Sequence, residues 1–333
     1  MADIAHTKTD QKLEEMEKRL SAIYSRAEKT VQKKMADYAR TIDEKSAELL
    51  QAYKDAETED EKRKAKKAYI RFYRKLVKSK EFVSLSAIVA DDLYKANVEA
   101  SEYINSQTPP IYALNYNYIN SEMAKDIDGF KPQEITDTEA EKYSGYTQQT
   151  VDRKKDTDWN KDNLKKSVLA GSLLLLGAYA IMKRSANSTV EKNHNSASMH
   201  SDGMGSDAEN KARIDGMYRA EDMGNSITKI WIATLDNRTR DAHAHRDGEE
   251  IALDDEFAPG LSRPRDPNGA LAEICNCRCS LKYGVGQSKG KTRSSRLGTV
   301  TGSYKKPSSF KGTTSEEIAN MTYQEWMKWR ATR

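Results

Sequence analysis

The sequence predicts a mainly α N-terminal region with long helices, followed by a small α+β C-terminal domain and a flexible basic tail. Three observations predict it. From Met1 to Thr108 there is no Gly and no Pro, the two strongest breakers of regular structure. At Lys229 the apolar spacing changes from steps of three and four to alternation. From Ile274 to Ser315 there is no Asp or Glu, and Gly, Ser and Lys dominate.

The helical region comes first. Met16, Leu20, Ile23, Ala27, Val31, Met35, Tyr38, Ile42, Leu49 and Tyr53 recur at mostly helical steps, which places them on one face of a long amphipathic helix. Glu57–Lys67 reads as a solvated bend or exposed helix. Further helical patterns run through Ile70, Tyr73, Leu76 and Val77, then through Leu85, Ile88, Leu93 and Val98. These stripes are core-packing faces. Residues 1–108 therefore form one region of long amphipathic helices.

Pro109–Pro110 is expected to end that region. Residues 109–206 follow as a connecting and helical segment. It holds a 15-residue apolar run, Val168–Met182, between Lys165/Lys166 and Lys183/Arg184. A bilayer-spanning helix needs about 20 apolar residues, so residues 168–182 read as a buried core helix. A membrane-active segment is the alternative. Residues 185–206, rich in Ser, Asn, Gly and His, read as a flexible loop carrying solvated His194 and His200. Ser206-x-x-Glu209 has the form of a capping box and is expected to start a new helix that stops near Gly224.

The third region, residues 207–286, changes period. In Lys229–Asp236, Ile230 and Ile232 alternate with Trp231, Ala233 and Leu235, as on a strand. Cys277, Cys279, Leu281, Tyr283 and Val285 likewise share one face of a second strand. Residues 287–333 are expected to be a basic linker with a short terminal helix.

Composition bounds the function. With 333 residues there is room for two or three domains. Apolar residues make up 37% and charged residues 32%, at a mean hydropathy of −0.86, which suits exposed helices better than one large core. A net charge of +4 means that nucleic-acid contact must rest on local clustering. The cysteines are Cys275, Cys277 and Cys279, an odd clustered set unlike a disulfide framework. The polar N-terminus lacks the pattern of a secretory signal. A cytoplasmic site of synthesis, with reduced thiols, follows.

The informative segment is WIATLDNRTRDAHAHRDGEEI, followed about thirty residues later by RPRDPNGALAEICNCRCSL. Its order D-x-R-T-R-x-x-H-x-x-x-D-G before a distant N-C-R-C resembles the C-terminal domain of the Mu F-like head-morphogenesis proteins of phages. Trp231, Asp236, Arg238, Thr239, Arg240, His243, Asp247 and Gly248 carry the first half. Pro264, Asp266, Pro267, Glu273, Asn276, Cys277, Arg278 and Cys279 carry the second. The preceding RIDGMYRAEDMGNSITKIW and the ending IANMTYQEWMKW fit the same family. One departure is Ala244-His245-Arg246, where the family often has a large aliphatic residue.

The resemblance implies a minor head (capsid) protein of a tailed phage. Such a protein is a virion component that lies inside the head near the portal. It takes part in procapsid assembly and in packaging or delivery of DNA. The implied partners are the portal protein, scaffold or major capsid protein, and packaged double-stranded DNA bound without sequence specificity. No small-molecule substrate and no enzyme activity are implied, and membrane contact would occur only during ejection.

The residues admit three readings of the motif. The first is structural, with thiols as small buried groups and a His-centred polar network. No cofactor is then needed. In the second, His243, Asp247, Cys277 and Cys279, all acceptable zinc ligand types, staple a small domain. In the third, Asp236, His243, His245 and Asp247 hold the metal of a hydrolase or nuclease. Separately, Lys289, Lys291, Arg293, Arg296, Lys305 and Lys306 form a basic arm suited to phosphate contact through counterion release.

Overall fold

The computed structural model describes residues 3–143, 148–236, 238–286 and 292–293. The elements in order are α1 (Ile4–Lys54), α2 (Glu59–Leu76), α3 (Lys80–Asp126), α4 (Asp137–Tyr143), α5 (Arg153–Leu173) and α6 (Ala178–Asp222). They continue as β1 (Ile227–Ile232), α7 (Asp241–Arg246), β2 (Glu249–Ala252), α8 (Leu271–Ile274), β3 (Ser280–Val285) and β4 (Thr292–Arg293). The expected class, long helices before a small α+β region, is the observed one.

The chain divides into two compact units that differ from the linear segments 1–108, 109–206, 207–286 and 287–333. One unit takes residues 16–105 and 148–199, and the other takes residues 1–15, 106–147 and 200–333. Each of α1, α3 and α6 contributes residues to both.

The first of these units is all helix. Met16, Leu20, Ile23, Ala27, Val31 and Met35 of α1 are buried as the stripe requires, whereas Tyr38, Ile42, Leu49 and Tyr53 are half-buried. The Glu57–Lys67 segment resolves into a helix start. Thr58 caps α2 by accepting from the Glu61 N–H at 3.2 Å, and the Glu61 carboxylate accepts from the Thr58 N–H at 3.0 Å. Buried amides join the helices. Asn97 donates to Asp156 and to Asn193, both at 2.7 Å, and Asn193 donates to Asn160 at 2.8 Å.

The expectations for residues 109–206 are corrected at several points. Pro109 and Pro110 lie inside α3. Tertiary burial on both sides of them, by Ile104, Ile111, Tyr112 and Ala113, outweighs the local cost of the prolines. The apolar run 168–182 is two helix ends, since α5 stops at Leu173, Leu175 has φ 54° and α6 starts at Ala178. Val168, Ile181 and Met182 are buried, while Leu173, Leu174 and Tyr179 are exposed. Among the described residues no helix is long and apolar enough to cross a membrane.

The loop expected at 185–206 is the middle of α6. Its polar residues are buried by bonding back along the helix: Ser185 to the Ile181 carbonyl, Thr189 to Ser185 and Asn193 to Thr189, each at 2.8 Å. Its Gly205 marks close packing rather than a bend, because a Cβ there would lie 2.5 Å from Leu13. Ser206 is consequently no cap. Its carbonyl accepts from Asn210 at 2.9 Å, and Glu209 pairs with Arg213 at 2.9 Å instead of closing a capping box. His194 pairs with Glu17 at 3.0 Å, and His200 is half-buried rather than solvated. The helix does stop beside Gly224, whose φ of 87° suits the left-handed C′ position.

The second unit packs α3 and α6 against an antiparallel sheet of order β3-β1-β2-β4. Trp231, Ala233 and Leu235 face its core as the alternation requires, together with Ile119, Met123, Ile214, Met217, Ile251 and Leu281. Trp231 is fully buried, a burial that contributes roughly 2–3 kcal/mol. Strand β1 is shorter than Lys229–Asp236 at its far end, because residues 233–236 leave the ladder to form the motif loop. In the core of this unit, Arg213 donates to the Leu281 carbonyl at 2.9 Å and pairs with Glu209 and with Asp3.

Candidate functional site

The motif folds around the two outer ends of β1 and β3. Asp236 begins the loop. Its carboxylate accepts from the Arg238 N–H at 2.9 Å and from Thr239 at 3.1 Å, and it pairs with Arg278. Burial alone would raise the Asp236 pKa, but Arg278 outweighs burial and holds it below the usual carboxylate range. Arg278 is therefore an internal partner and no part of a free basic surface. Arg240 precedes α7 and donates to the Cys275 carbonyl, tying the first half of the motif to the second.

Asp247 and Gly248 close the other end of α7. The fully buried Asp247 accepts from the Ala233 N–H at 2.9 Å. Gly248, at φ 71°, donates its N–H to the Trp231 carbonyl at 2.7 Å, a conformation that disfavours any residue with a Cβ. In the second half, Asp266 holds a tight turn by accepting from the N–H groups of Ser262 and Asn268 at 3.1 and 3.0 Å. Asn276 then adopts φ 53°, a left-handed conformation that asparagine tolerates better than most residues.

Between these halves lies the cluster. His243 is buried on α7, with its ring edge-on to Trp231 at a centroid distance of 5.4 Å. Its Nδ1 faces two buried sulfurs, Cys277 Sγ at 3.6 Å and Cys279 Sγ at 3.5 Å. Nε2 meets the Glu273 carboxylate at 3.2 Å, and Arg246 Nη1 holds that carboxylate at 2.5 Å. Burial would raise the Glu273 pKa, but Arg246 and then His243 lower it. The Cys279 hydrogen bond and His243 draw the Cys277 thiol well below its ordinary range, while burial pushes Cys279 up. Cys277 and Cys279 precede β3 yet keep its alternation, so both point inward.

The three ligand-type atoms of His243, Cys277 and Cys279 lie within 4.8 Å of one another. Asp247 does not join them, because its carboxylate is spent on the Ala233 amide. Nor do Asp236, His243, His245 and Asp247 converge as a hydrolytic metal site would require. Asp236 serves Arg278, and the half-buried His245 has Nδ1 2.6 Å from the Asp241 carbonyl. Sequence reasoning placed Glu273 in the motif without its partner, and it missed Arg246 altogether. The only available signal was that Glu273 lies four residues before Cys277. Of the basic arm, Lys289, Lys291, Arg296, Lys305, Lys306 and the terminal helix lie outside the described residues. Arg293 is described only in its backbone, as part of β4 paired with β2.

The family described as phage Mu protein F like protein matches residues 162–282. A 67-residue stretch, 20% of this chain, is 37% identical to the NAD(+)--arginine ADP-ribosyltransferase EFV of Enterococcus faecalis (strain ATCC 700802 / V583), covering 14% of that protein. A 75-residue stretch, 22% of the chain, is 33% identical to the minor head protein GP7 of Bacillus phage SPP1, covering 24% of it. The chain thus matches less than a quarter of the length of either relative. No solved structure matches. Residues 162–282, where the long helix α6 leads into the Trp231–Cys279 motif, thus match the phage Mu protein F like family.

Proposed function

We propose that this chain is a minor head protein of a tailed phage that works beside the portal during procapsid assembly and lies inside the head against packaged DNA. The observation that carries the reading is the family match over residues 162–282, beside a 75-residue stretch 33% identical to the SPP1 minor head protein. The motif supports a scaffolding role. Asp236, Arg240, Asp247 and Gly248 are each spent on a backbone or side-chain partner of this chain. The helices of residues 16–105 and 148–199 supply the surface for the portal. Co-expression of the full chain with the portal protein of the same genome, followed by pull-down, tests this. Co-purification is expected, and a portal that elutes alone overturns the reading.

The acid-free run Ile274–Ser315 extends the proposal to DNA. Spread positive charges on a Gly- and Ser-rich chain follow a phosphate backbone but cannot hold the fixed geometry needed to read base edges. Binding is then indifferent to sequence and steeply salt-dependent, at about −0.9 in log–log slope per neutralised phosphate. Replacing Lys289, Lys291, Arg293 and Arg296 with Ser should flatten the slope by roughly 3–4 units if all four touch phosphate. Equal slopes for wild type and variant, in duplex titrations at several salt concentrations, remove the arm from the function.

A further inference from the structure

We propose that His243, Cys277 and Cys279 form a zinc site in which Nδ1 and the two Sγ atoms are the protein donors and water takes the fourth position. This goes beyond the head-assembly reading and stands or falls without the portal.

Distance is the first argument. Zinc binds sulfur at about 2.3 Å and imidazole nitrogen at about 2.0–2.1 Å, and tetrahedral angles then put sulfur and nitrogen about 3.6 Å apart. Nδ1 lies 3.6 Å from Cys277 Sγ and 3.5 Å from Cys279 Sγ. Nδ1 therefore already stands at metal-binding spacing from both sulfurs, and all three donor atoms lie within 4.8 Å of one another.

The second argument is orientation. Ligating histidines commonly donate their other ring N–H to a carboxylate, which fixes the tautomer. Glu273 stands 3.2 Å from Nε2 and is itself held by Arg246. With the proton kept at Nε2, the Nδ1 lone pair points at both sulfurs.

Third, the charges of such a site balance. A divalent cation with two thiolates has no net charge, which suits the buried position of all three residues. Such an ion would join α7 to the turn before β3, across 34 residues of chain. That is a useful staple in a sheet whose outermost strand has two residues.

The test is a titration of the reduced full chain with cobalt(II), followed by displacement with zinc. One equivalent should bind and produce thiolate-to-cobalt absorption, and zinc should abolish that band. Zinc should also raise the melting temperature. His243→Ala and the double variant Cys277→Ser/Cys279→Ser should lose the band, whereas Cys275→Ser should keep it. Absence of saturable binding by the wild-type chain overturns the proposal even if the variants fail to fold. Binding that survives in the double variant also overturns it, as does loss of the band in Cys275→Ser, which would mean a different donor set.

Discussion

The two compact units bury polar groups in different ways. Residues 16–105 and 148–199 use neutral amides, with Tyr24, Asn97, Asn160 and Asn193 linked at 2.7–2.8 Å. The other unit buries charge: Arg213 and Glu209 are almost fully enclosed, and Lys229 reaches the Leu253 carbonyl at 2.5 Å. An amide that loses a neighbour keeps other partners and carries no net charge. A buried ion that loses its counterion is left in a low-dielectric interior, where the penalty is larger. Stability in the motif-bearing unit therefore hangs on fewer residues.

The largest effect is expected from Arg213→Ala. It strips Asp3 and Glu209 of their arginine, leaving Glu209 with His6 as its remaining partner, and takes a donor from the Leu281 carbonyl, at a cost of about 3–5 kcal/mol. Hydrogen exchange should rise in β1 and β3 while α2 and α5 stay protected. Equal loosening of both units would break the comparison.

Next comes a pH effect. Burial alone would lower the His6 pKa, but Glu209 outweighs it and raises it to about 9. A raised histidine contributes stability that is fully present below its unfolded value of about 6.5 and is lost as pH rises through the folded value. The loss between pH 6.5 and 9 is on the order of 3 kcal/mol at most. His6→Gln should flatten denaturation midpoints over that window. Lys229, lowered by burial to about 8, acts in the opposite sense above pH 8, so the variant must be compared with wild type at each pH. An unchanged slope removes His6 from the charged network.

Within the amide-bearing unit, Asn193→Ala should cost about 1–2 kcal/mol, confined to hydrogen exchange of α5 and the first half of α6. Thr58→Ala should cost least, about 1 kcal/mol for a lost cap, visible as fraying of the α2 start. If Asn193→Ala rivals Arg213→Ala in denaturant melts, the distinction between neutral and charged burial is wrong.

How much of this was legible follows from what each signal measures. The α1 stripe and the alternation through Trp231 are periodic, and period reports which face is buried. Pro109–Pro110 and the Ser/Asn/Gly stretch before Ser206 misled because composition reports local preference, whereas long-range packing decided there. Gly205 against Leu13 cannot be foreseen without knowing that the chain's first turns return to α6. In the site, His243, Cys277 and Cys279 were recognisable as ligand types on suitable faces. Asp247 has the right chemistry for a ligand but is occupied by the Ala233 amide, and only coordinates reveal such prior engagement. Glu273 and Arg246 act through another residue, so neither carries a pattern of its own.

The interleaving of α1, α3 and α6 between the two units has a consequence for how the protein comes off the ribosome. The unit made of residues 16–105 and 148–199 has all its parts once residue 199 has emerged, whereas the other needs residues 1–15, 106–147 and the segment from 200 onward. Its opening turns must wait until Glu209, Arg213 and then β3 have been made, and contacts of such high sequence separation form slowly. Truncated or stalled chains ending before Gly205 would leave Leu13, Ile111 and Ile119 without their close neighbours Gly205 and Gly216 in α6. Synthesis of the second half of α6 is thus the step on which burial of the chain's first turns waits.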